Sequence, residues 1–374
     1  MLQNIEKISI RQFILLMMGT IGVLNHVIVI PVLLESTKRD AWISPLVNFF
    51  LFLAIGYIVF LIQKKTNQQN ILNWIKVHYG KKIQYPLIAI FCIHLFILGQ
   101  TTYMDTLSWT KITYLPLSSK LFMGSLLAFL VLSAAYTGIR TIVILTGVIL
   151  PLVILLGFFV ALANLQHKNY SLLFPILENG FTPVLQGMIY SGGGVGEFFL
   201  LLLLMQHRLE SNIRFFHIVI ILFILSGLTI GPTIGAITIF GPQEASLQRY
   251  PAYEEWAMVS LGRFVEHVDF LSIYQWMSGV FLRLSTLGFV IAELFQVKKG
   301  KNRLIILSSV YITALITLLF PISDIVFYEW IKFTLQYSLY FTLAFISFLL
   351  FLVLFENAKR GSQHEFKRTN TTNK

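Results

Sequence analysis

The chain alternates between long runs of apolar residues and short polar connections. A helix needs about 20 mostly apolar residues to cross the hydrocarbon core of a bilayer, and this criterion predicts ten transmembrane spans. They lie near residues 9–34, 41–63, 83–107, 119–137, 140–163, 182–206, 213–240, 268–296, 304–323 and 333–355. We therefore predict an all-α membrane protein, with a single ten-helix domain over residues 1–358 and a basic cytoplasmic tail at 359–374.

The composition supports a membrane protein and excludes several other classes. Of the 374 residues, 56% are hydrophobic and 12% are charged, whereas an average soluble domain has roughly 25% charged residues. A soluble fold could not cover that much apolar surface, which excludes a soluble enzyme or nucleic-acid-binding protein. The sequence has no phosphate-binding loop, zinc-ligand spacing or paired-carboxylate motif. We therefore predict no enzymatic activity, no catalytic residues, no metal site and no cofactor.

The basic residues predict how the chain is oriented. If the N-terminus is cytoplasmic, 19 of the 28 Lys and Arg residues fall on the cytoplasmic face, eight fall on the other face, and Arg283 lies inside a span. Because cytoplasmic loops carry the excess of positive charge, both termini are predicted to be cytoplasmic. The longest outer loop, 241–267, combines four Glu residues with aromatic residues. This favours a solvated cap with aromatic anchors over a role in ligand gating.

Two glycine clusters interrupt the apolar spans. The first is Gly19-Thr20-Ile21-Gly22, and the second runs from Ser191 to Glu197 and contains four glycines. Glycine inside a helix costs about 1 kcal/mol relative to Ala, so the clusters predict that helices 1 and 6 are broken. Non-helical backbone at membrane depth is tolerated where it lines a cavity or is buried in protein. The alternative is close packing of continuous helices through small residues.

The spacing of the clusters indicates an internal repeat. Gly19 and Gly192 are 173 residues apart, which is half of the 347 residues between positions 9 and 355. Five helices per half is an odd number, so the halves 9–163 and 182–355 would have inverted topology. Broken helices at matched positions of inverted repeats mark a substrate site near the bilayer midplane. The predicted architecture is the five-plus-five inverted repeat of leucine-transporter-like permeases.

Three segments carry a resemblance to a known family. They are Ile8-Ser9-Ile10-Arg11-Gln12-Phe13, the first glycine cluster and Asp40-Ala41-Trp42-Ile43-Ser44. The chain resembles the B-subunit family of spore germinant receptors, the endospore germination permeases of the amino acid–polyamine–organocation superfamily. The resemblance implies a multi-pass protein of the spore inner membrane that binds a small nutrient germinant and works with A and C subunits, without nucleic acid. The alternative is an amino acid or solute transporter that works by alternating access.

The glycine clusters also predict where a ligand would bind. A ligand carboxylate would be stabilised by free N–H groups and positive dipole ends where the broken helices resume. Gln100 and Tyr103 lie three residues apart on one face of span three and could flank the site, or could anchor that helix at the membrane interface. The predicted ligand-binding residues are Gly19, Thr20, Gly22, Gln100, Tyr103, Ser191, Gly192, Gly193 and Gly194.

Glu197 and Arg283 are predicted to form a gate. Each lies 15 residues from the outer end of its span (197−182 and 283−268), about 22 Å along the helix axis. Equal depth makes an ion pair possible, and an unpaired charge there is costly; the alternative is that each charge faces water separately. Ser285 and Thr286 resemble the hydroxyl pair that holds sodium in sodium-coupled relatives, although a structural role is favoured. Sodium or proton coupling stays undecided, as do the identity of the germinant and the stoichiometry.

Overall fold

The computed structural model describes residues 6–260, 268–297 and 299–372, with side chains up to Glu356. Over these residues the fold is helical, with no β-strand. One isolated bridge pairs Ile8 with Leu209, and the N–H of Ile8 donates to the carbonyl of Arg208 at 2.8 Å. This bridge ties the N-terminal segment to a connection from the second half of the chain.

The described residues of the first half form seven α-helices. They are α1 (Ile10–Val23), α2 (Val29–Thr37), α3 (Ile43–Lys65), α4 (Ile71–Tyr79), α5 (Lys81–Thr113), α6 (Lys120–Thr137) and α7 (Ile139–Ala163). A π-helical segment, Leu24–Ile28, joins α1 to α2, and a 3-10 turn, Lys38–Trp42, precedes α3. Ser9 and Gln12 form a capping box that starts α1. Gly138, with φ of 108°, separates α6 from α7 in a conformation that favours glycine.

The described residues of the second half also form seven α-helices. They are α8 (Thr182–Met205), α9 (Phe215–Phe240), α10 (Pro242–Ala245), α11 (Pro251–Ala257), α12 (Leu271–Leu294), α13 (Lys301–Thr317) and α14 (Asp324–Thr372). Short 3-10 turns at Asn164–His167 and Tyr170–Leu173 lie between α7 and α8. The predicted domain boundary at residue 358 falls within α14 and stays a prediction.

Among the described residues, eight helical segments are long and apolar enough to cross a membrane. They are Ile10–Lys65, Lys81–Thr113, Lys120–Thr137, Ile139–His167, Thr182–Arg208, Phe215–Phe240, Leu271–Leu294 and Asp324–Glu356. The first segment contains both of the first two predicted spans, and the ninth predicted span corresponds to the 17-residue helix α13. The chain is thus a multi-pass membrane protein, and the arrangement as ten crossings stays a prediction.

Helices α8 and α12 form the interior of the molecule. In each of them 83% of the most apolar stretch is buried, compared with 28% in α6 and in the segment that contains α7. Helix α8 packs against α2, α3 and α14, whereas α12 packs against α1, α5, α6 and α7. The described helices therefore form two groups, each organised around one central helix.

The predicted break in the first helix was wrong. Helix α1 continues through Gly19 and Gly22 with regular geometry, and the departure from α-helix comes at the π-helical segment Leu24–Ile28. Pro31 has no N–H to donate to the carbonyl four residues earlier, which disturbs the ladder of hydrogen bonds at this point. A π-helical turn keeps the chain helical while it accommodates the disturbance.

The predicted break in the sixth span was wrong. Helix α8 runs without interruption from Thr182 to Met205, so the N–H and C=O groups of Gly192–Gly196 remain within the helix. The glycines instead allow close packing. A Cβ atom on Gly193 would collide with the carbonyl oxygen of Leu335 on α14, and one on Gly194 would collide with Oδ1 of Asn25. The alternative of small-residue helix packing is therefore what the structure contains.

Candidate functional site

A buried ion pair joins the two central helices. Nη1 of Arg283 on α12 donates to Oε1 of Glu197 on α8 at 2.9 Å, and Nη2 donates to Oε2 at 2.7 Å. Both side chains are 0% exposed. The predicted link between these residues is confirmed as a direct, bidentate pair, and the alternative of two separately hydrated charges is wrong. Their gating role stays a prediction.

The remaining donors of Arg283 extend this pair into a network. Nε donates to Oγ1 of Thr102 on α5 at 2.8 Å, and Nη1 also donates to the carbonyl of Thr20 on α1 at 3.2 Å. The hydroxyl of Thr20 donates to that of Thr286 at 3.2 Å, and Thr286 donates to the carbonyl of Leu282 at 2.7 Å. The network connects α1, α5, α8 and α12, and its residues are all buried.

Of the two residues predicted to bind an ion, Thr286 belongs to this network and Ser285 does not. Thr286 contacts Thr20, which had been predicted as a ligand-binding residue, so two predicted groups lie together. The hydroxyl of Ser285 is buried and has no hydrogen-bond partner among the described residues. Helix α1 is continuous here, and the carbonyl of Thr20 accepts a hydrogen bond from Arg283. The sodium site stays a prediction.

A large cavity of about 590 Å³ lies beside α1. It is enclosed by α1 and the π-helical segment, α7, α9, α11 and α12. Gly19, Gly22 and His26 contribute the wall from the first helix, and Gly227 and Gly231 contribute part of the wall from α9. No side chain fills the space beside the two α9 glycines, since a Cβ on either would meet nothing within 4 Å. The volume is within the range of ligand pockets.

The other predicted ligand-binding residues lie elsewhere. Gln100 and Tyr103 share one face of α5, as predicted, but they line a separate cavity of about 30 Å³. Gln100 donates a hydrogen bond to Oγ1 of Thr317, and the hydroxyl of Tyr103 is buried without a partner among the described residues. Ser191 accepts a hydrogen bond from Nδ2 of Asn48 at 2.7 Å. The Ser191–Gly194 segment packs between helices and does not line the large cavity.

One end of the large cavity is polar. Glu255 on α11 lines it together with Lys168, Gln275 and Trp256. The sequence places Glu255 in the outer loop, which was interpreted as a solvated cap, but the residue is only 5% exposed. Burial raises the pKa of Glu255 to about 8, although the positive charge of Lys168 acts in the opposite direction. The solvated-cap interpretation was therefore wrong at this position, while residues 261–267 of the loop lie outside the described residues.

A second buried carboxylate is bound by an arginine of the outer loop, which borders the cavity. Asp105 on α5 is 0% exposed and pairs with Nη2 of Arg249, which precedes α11. The guanidinium also stacks over the ring of Tyr250 at 4.6 Å and over that of Tyr328 at 5.1 Å. Arg249 thereby links the outer loop to α5 and to α14.

Comparison with known proteins identifies the family. The family model described as "Spore germination protein" matches residues 7–320, nearly the whole chain. The chain belongs to this spore germination protein family. It is 43% identical over 321 residues to Spore germination protein XB of Bacillus anthracis, covering 86% of this chain and 90% of the relative. It is also 22% identical over 257 residues to Putative spore germination protein YfkT of Bacillus subtilis (strain 168), covering 68% and 69%. The family resemblance inferred from the sequence is thus confirmed.

Sequence reasoning missed two functional candidates in this germination protein. Glu255 and Arg249 lie in the outer loop, where charged residues are expected to be solvated. One available signal was the aromatic neighbourhood, because Tyr250, Tyr253 and Trp256 supply enough apolar surface to bury the loop against the helices. Buried ion pairs between loop and helix cannot be located by counting residues along a span.

Proposed function

We propose that this germination protein is the B subunit of a spore germinant receptor. It would bind a small nutrient, such as an amino acid, and trigger germination with partner A and C subunits in the inner membrane of the spore. Membership of the spore germination protein family supports this role. The protein would act by binding rather than by catalysis, with both termini in the cytoplasm, as the distribution of basic residues favours.

The binding site is proposed to be the large cavity beside α1. The observation that carries this proposal is that Gly19 and Gly22, which the sequence singled out for ligand binding, both line the cavity. A pocket between helices with mostly apolar walls and a few polar groups is typical of small-molecule sites. Thr20, Gln100, Tyr103, Ser191, Gly192, Gly193 and Gly194 do not line this cavity and are not carried into the proposal.

We also propose that the chain crosses the membrane ten times. The segment Ile10–Lys65 has 56 residues, which at 1.5 Å per residue is about 84 Å and more than twice the thickness of the hydrocarbon core. Two membrane crossings therefore fit this segment better than one. Helix α13 has 17 residues, near the lower limit of about 17 for a spanning helix. These two additions to the eight candidates give five crossings in each half, as an inverted repeat requires.

The ion pair between Glu197 and Arg283 is proposed to couple ligand binding to a conformational change. It connects the two groups of helices, and Arg283 also bonds the backbone of α1 at Thr20. Helix α1 also forms a wall of the cavity. A shift of α1 on ligand binding would therefore be transmitted to the pair.

The second candidate function is transport of the same solute by alternating access. The permease architecture proposed above favours this function too, because a transporter would need the same binding site as a receptor. Reconstitution of the purified chain in liposomes separates the two functions. We expect ligand binding without sustained solute uptake, and robust flux in the absence of partner subunits would contradict the receptor proposal.

A cavity-filling substitution tests the location of the site. Gly231→Leu would place a side chain in the cavity without a steric clash at its Cβ. Gly147→Leu on α7 is the matched control, because its Cβ also meets nothing within 4 Å and Gly147 does not line the cavity. We expect spores with Gly231→Leu to lose the response in a screen of amino acids, sugars and nucleosides, and spores with Gly147→Leu to respond. An equal response from both would contradict the cavity as the site.

A further inference from the structure

Glu255 is a buried carboxyl with an unused hydrogen-bond acceptor at the cavity. The residue lines the cavity and is 5% exposed, and its Oε1 is buried with no hydrogen-bond partner among the described residues. Buried polar atoms without partners are uncommon in folded proteins, and each one calls for an explanation such as a bound water or ion, or a functional role. A ligand group that donates hydrogen bonds would provide such a partner.

The structure positions the carboxyl firmly. Its carboxylate lies against Gly235 of α9, where a Cβ atom would collide with it. The backbone carbonyl of Glu255 accepts a hydrogen bond from Nδ2 of Asn164 at 2.7 Å, and Nε1 of the adjacent Trp256 donates to Oε1 of Gln275 at 3.1 Å. The turn at Asn164 and helix α12 thus fix the backbone of α11 around Glu255, and Gly235 on α9 leaves room for its carboxyl group.

The nearby cation, Lys168, forms no ion pair with this carboxyl. Lys168 lines the same cavity, but its Nζ donates to the carbonyl of Ala161 at 3.3 Å, and no ion pair joins it to Glu255 within 4.0 Å. The other titratable groups that line the cavity are His26, Tyr170 and Tyr253, none of which is an anion at neutral pH. Burial raises the pKa of Glu255 to about 8, as expected for a carboxyl that lacks a bound cation.

From this arrangement we propose that Glu255 binds the ammonium group of the ligand. This inference rests on the proposed function and names the chemistry of that site: a small primary amine with an apolar body. The apolar body would lie along Leu150, Ile154 and Leu228, which also line the cavity. Binding of the ammonium group to the ionised carboxyl releases the proton of Glu255 to solvent, so affinity for the amine rises with pH up to about 8.

Three probes with a similar branched apolar body test this proposal. Leucine carries both charged groups, isoamylamine lacks the carboxylate, and isocaproate lacks the amine. Binding is measured to the purified full chain in lipid nanodiscs, for the wild type, Glu255→Gln and Glu254→Gln. Glu254 is the matched control, since it is adjacent on α11 and does not line the cavity.

We expect Glu255→Gln to weaken binding of leucine and isoamylamine by about tenfold or more, because a charge-assisted hydrogen bond is lost. Binding of isocaproate should not weaken, and Glu254→Gln should bind all three probes like the wild type. Unchanged amine binding by Glu255→Gln, or no amine binding by the wild type at millimolar concentration, would overturn the proposal. If Gly231→Leu abolishes binding while Glu255→Gln does not, this inference fails and the proposed cavity site stands.

Discussion

Arg283 and Glu197 face each other through two hydrogen bonds, of 2.9 Å and 2.7 Å, and neither side chain is exposed. Arg283 belongs to the helix that packs against α1, α5, α6 and α7, and Glu197 belongs to the helix that packs against α2, α3 and α14. The pair is therefore the charged link between two groups of helices. Because Arg283 also donates to Thr20 and Thr102, its guanidinium fixes the position of four helices relative to one another.

Removing one member of this pair should destabilise the protein strongly. Glu197→Gln or Arg283→Met leaves the other charge buried without its partner, which costs about 3–5 kcal/mol. The double variant Glu197→Gln/Arg283→Met should be more stable than at least one of the single variants, because no charge remains buried. Thermal denaturation of the purified protein in detergent measures the difference in stability between the wild type and each of these variants.

The exposed ion pair between Lys299 and Glu6, at 3.0 Å, provides the control for the preceding experiment. Glu6→Gln should change stability by at most about 1 kcal/mol, because exposed pairs are worth little.

The gating role of Glu197 and Arg283 is tested separately by charge reversal in spores. Glu197→Arg and Arg283→Glu should each impair germination, and the double reversal should recover part of the response. A double reversal as impaired as the worse single variant argues against a role for the pairing.

The glycines of α8 offer a second prediction, on helix packing. Gly193→Ala places a Cβ against the carbonyl oxygen of Leu335, a backbone atom that cannot move without moving α14. Gly196→Ala meets only ordinary contacts with Thr342 at 3.7 Å. We expect Gly193→Ala to lose most of the folded protein in size-exclusion chromatography and Gly196→Ala to behave like the wild type. Equal yields of the two variants would show that α8 and α14 pack less tightly than in this structure.

The sequence predicted the helices and the central ion pair, but it did not predict where the helices depart from regularity. The helices could be predicted because hydrophobic runs indicate burial in lipid or protein. The ion pair could be predicted because counting residues along two spans places Glu197 and Arg283 at equal depth. The glycine clusters were misleading because the penalty for glycine in a helix is measured in water. In a membrane protein a close approach of helices compensates for that penalty, and Gly193 can be assigned to this role only when Leu335 is located.

The cavity was even less accessible to sequence analysis. Its walls come from five separate parts of the chain, and only Gly19 and Gly22 had been singled out. Glu255 was assigned to a solvated loop because acidic residues near aromatic anchors are typical of an interface. Its burial depends on contacts with α9 and with the turn around Asn164, which are distant along the chain. Such tertiary contacts leave no periodic signal in the sequence.

A third prediction concerns the unpartnered hydroxyl of Ser285. If it has only a structural role, Ser285→Ala should change stability by less than about 1 kcal/mol, because no hydrogen bond is lost. Thr286→Val should cost about 1 kcal/mol, since Thr286 accepts from Thr20 and donates to Leu282. Both variants are compared by thermal denaturation in sodium and in N-methylglucamine buffers. Protection of the wild type by sodium that Ser285→Ala removes would instead support an ion site.

The pH dependence of stability provides the last prediction, through Glu255. Burial raises the pKa of its carboxyl to about 8 in the folded protein, compared with 4.5 for the unperturbed group. The folded state therefore binds the proton more tightly than the unfolded state, so this contribution to stability is complete below pH 4.5 and is lost as the pH rises through about 8. Between about pH 6 and about pH 9, the melting temperature of the wild type should fall by a few degrees more than that of Glu255→Gln, which cannot ionise. Glu254→Gln should keep the wild-type slope, because Glu255 still titrates in that variant. A wild-type curve that runs parallel to that of Glu255→Gln would mean that the carboxyl is already paired or hydrated in the membrane-embedded protein.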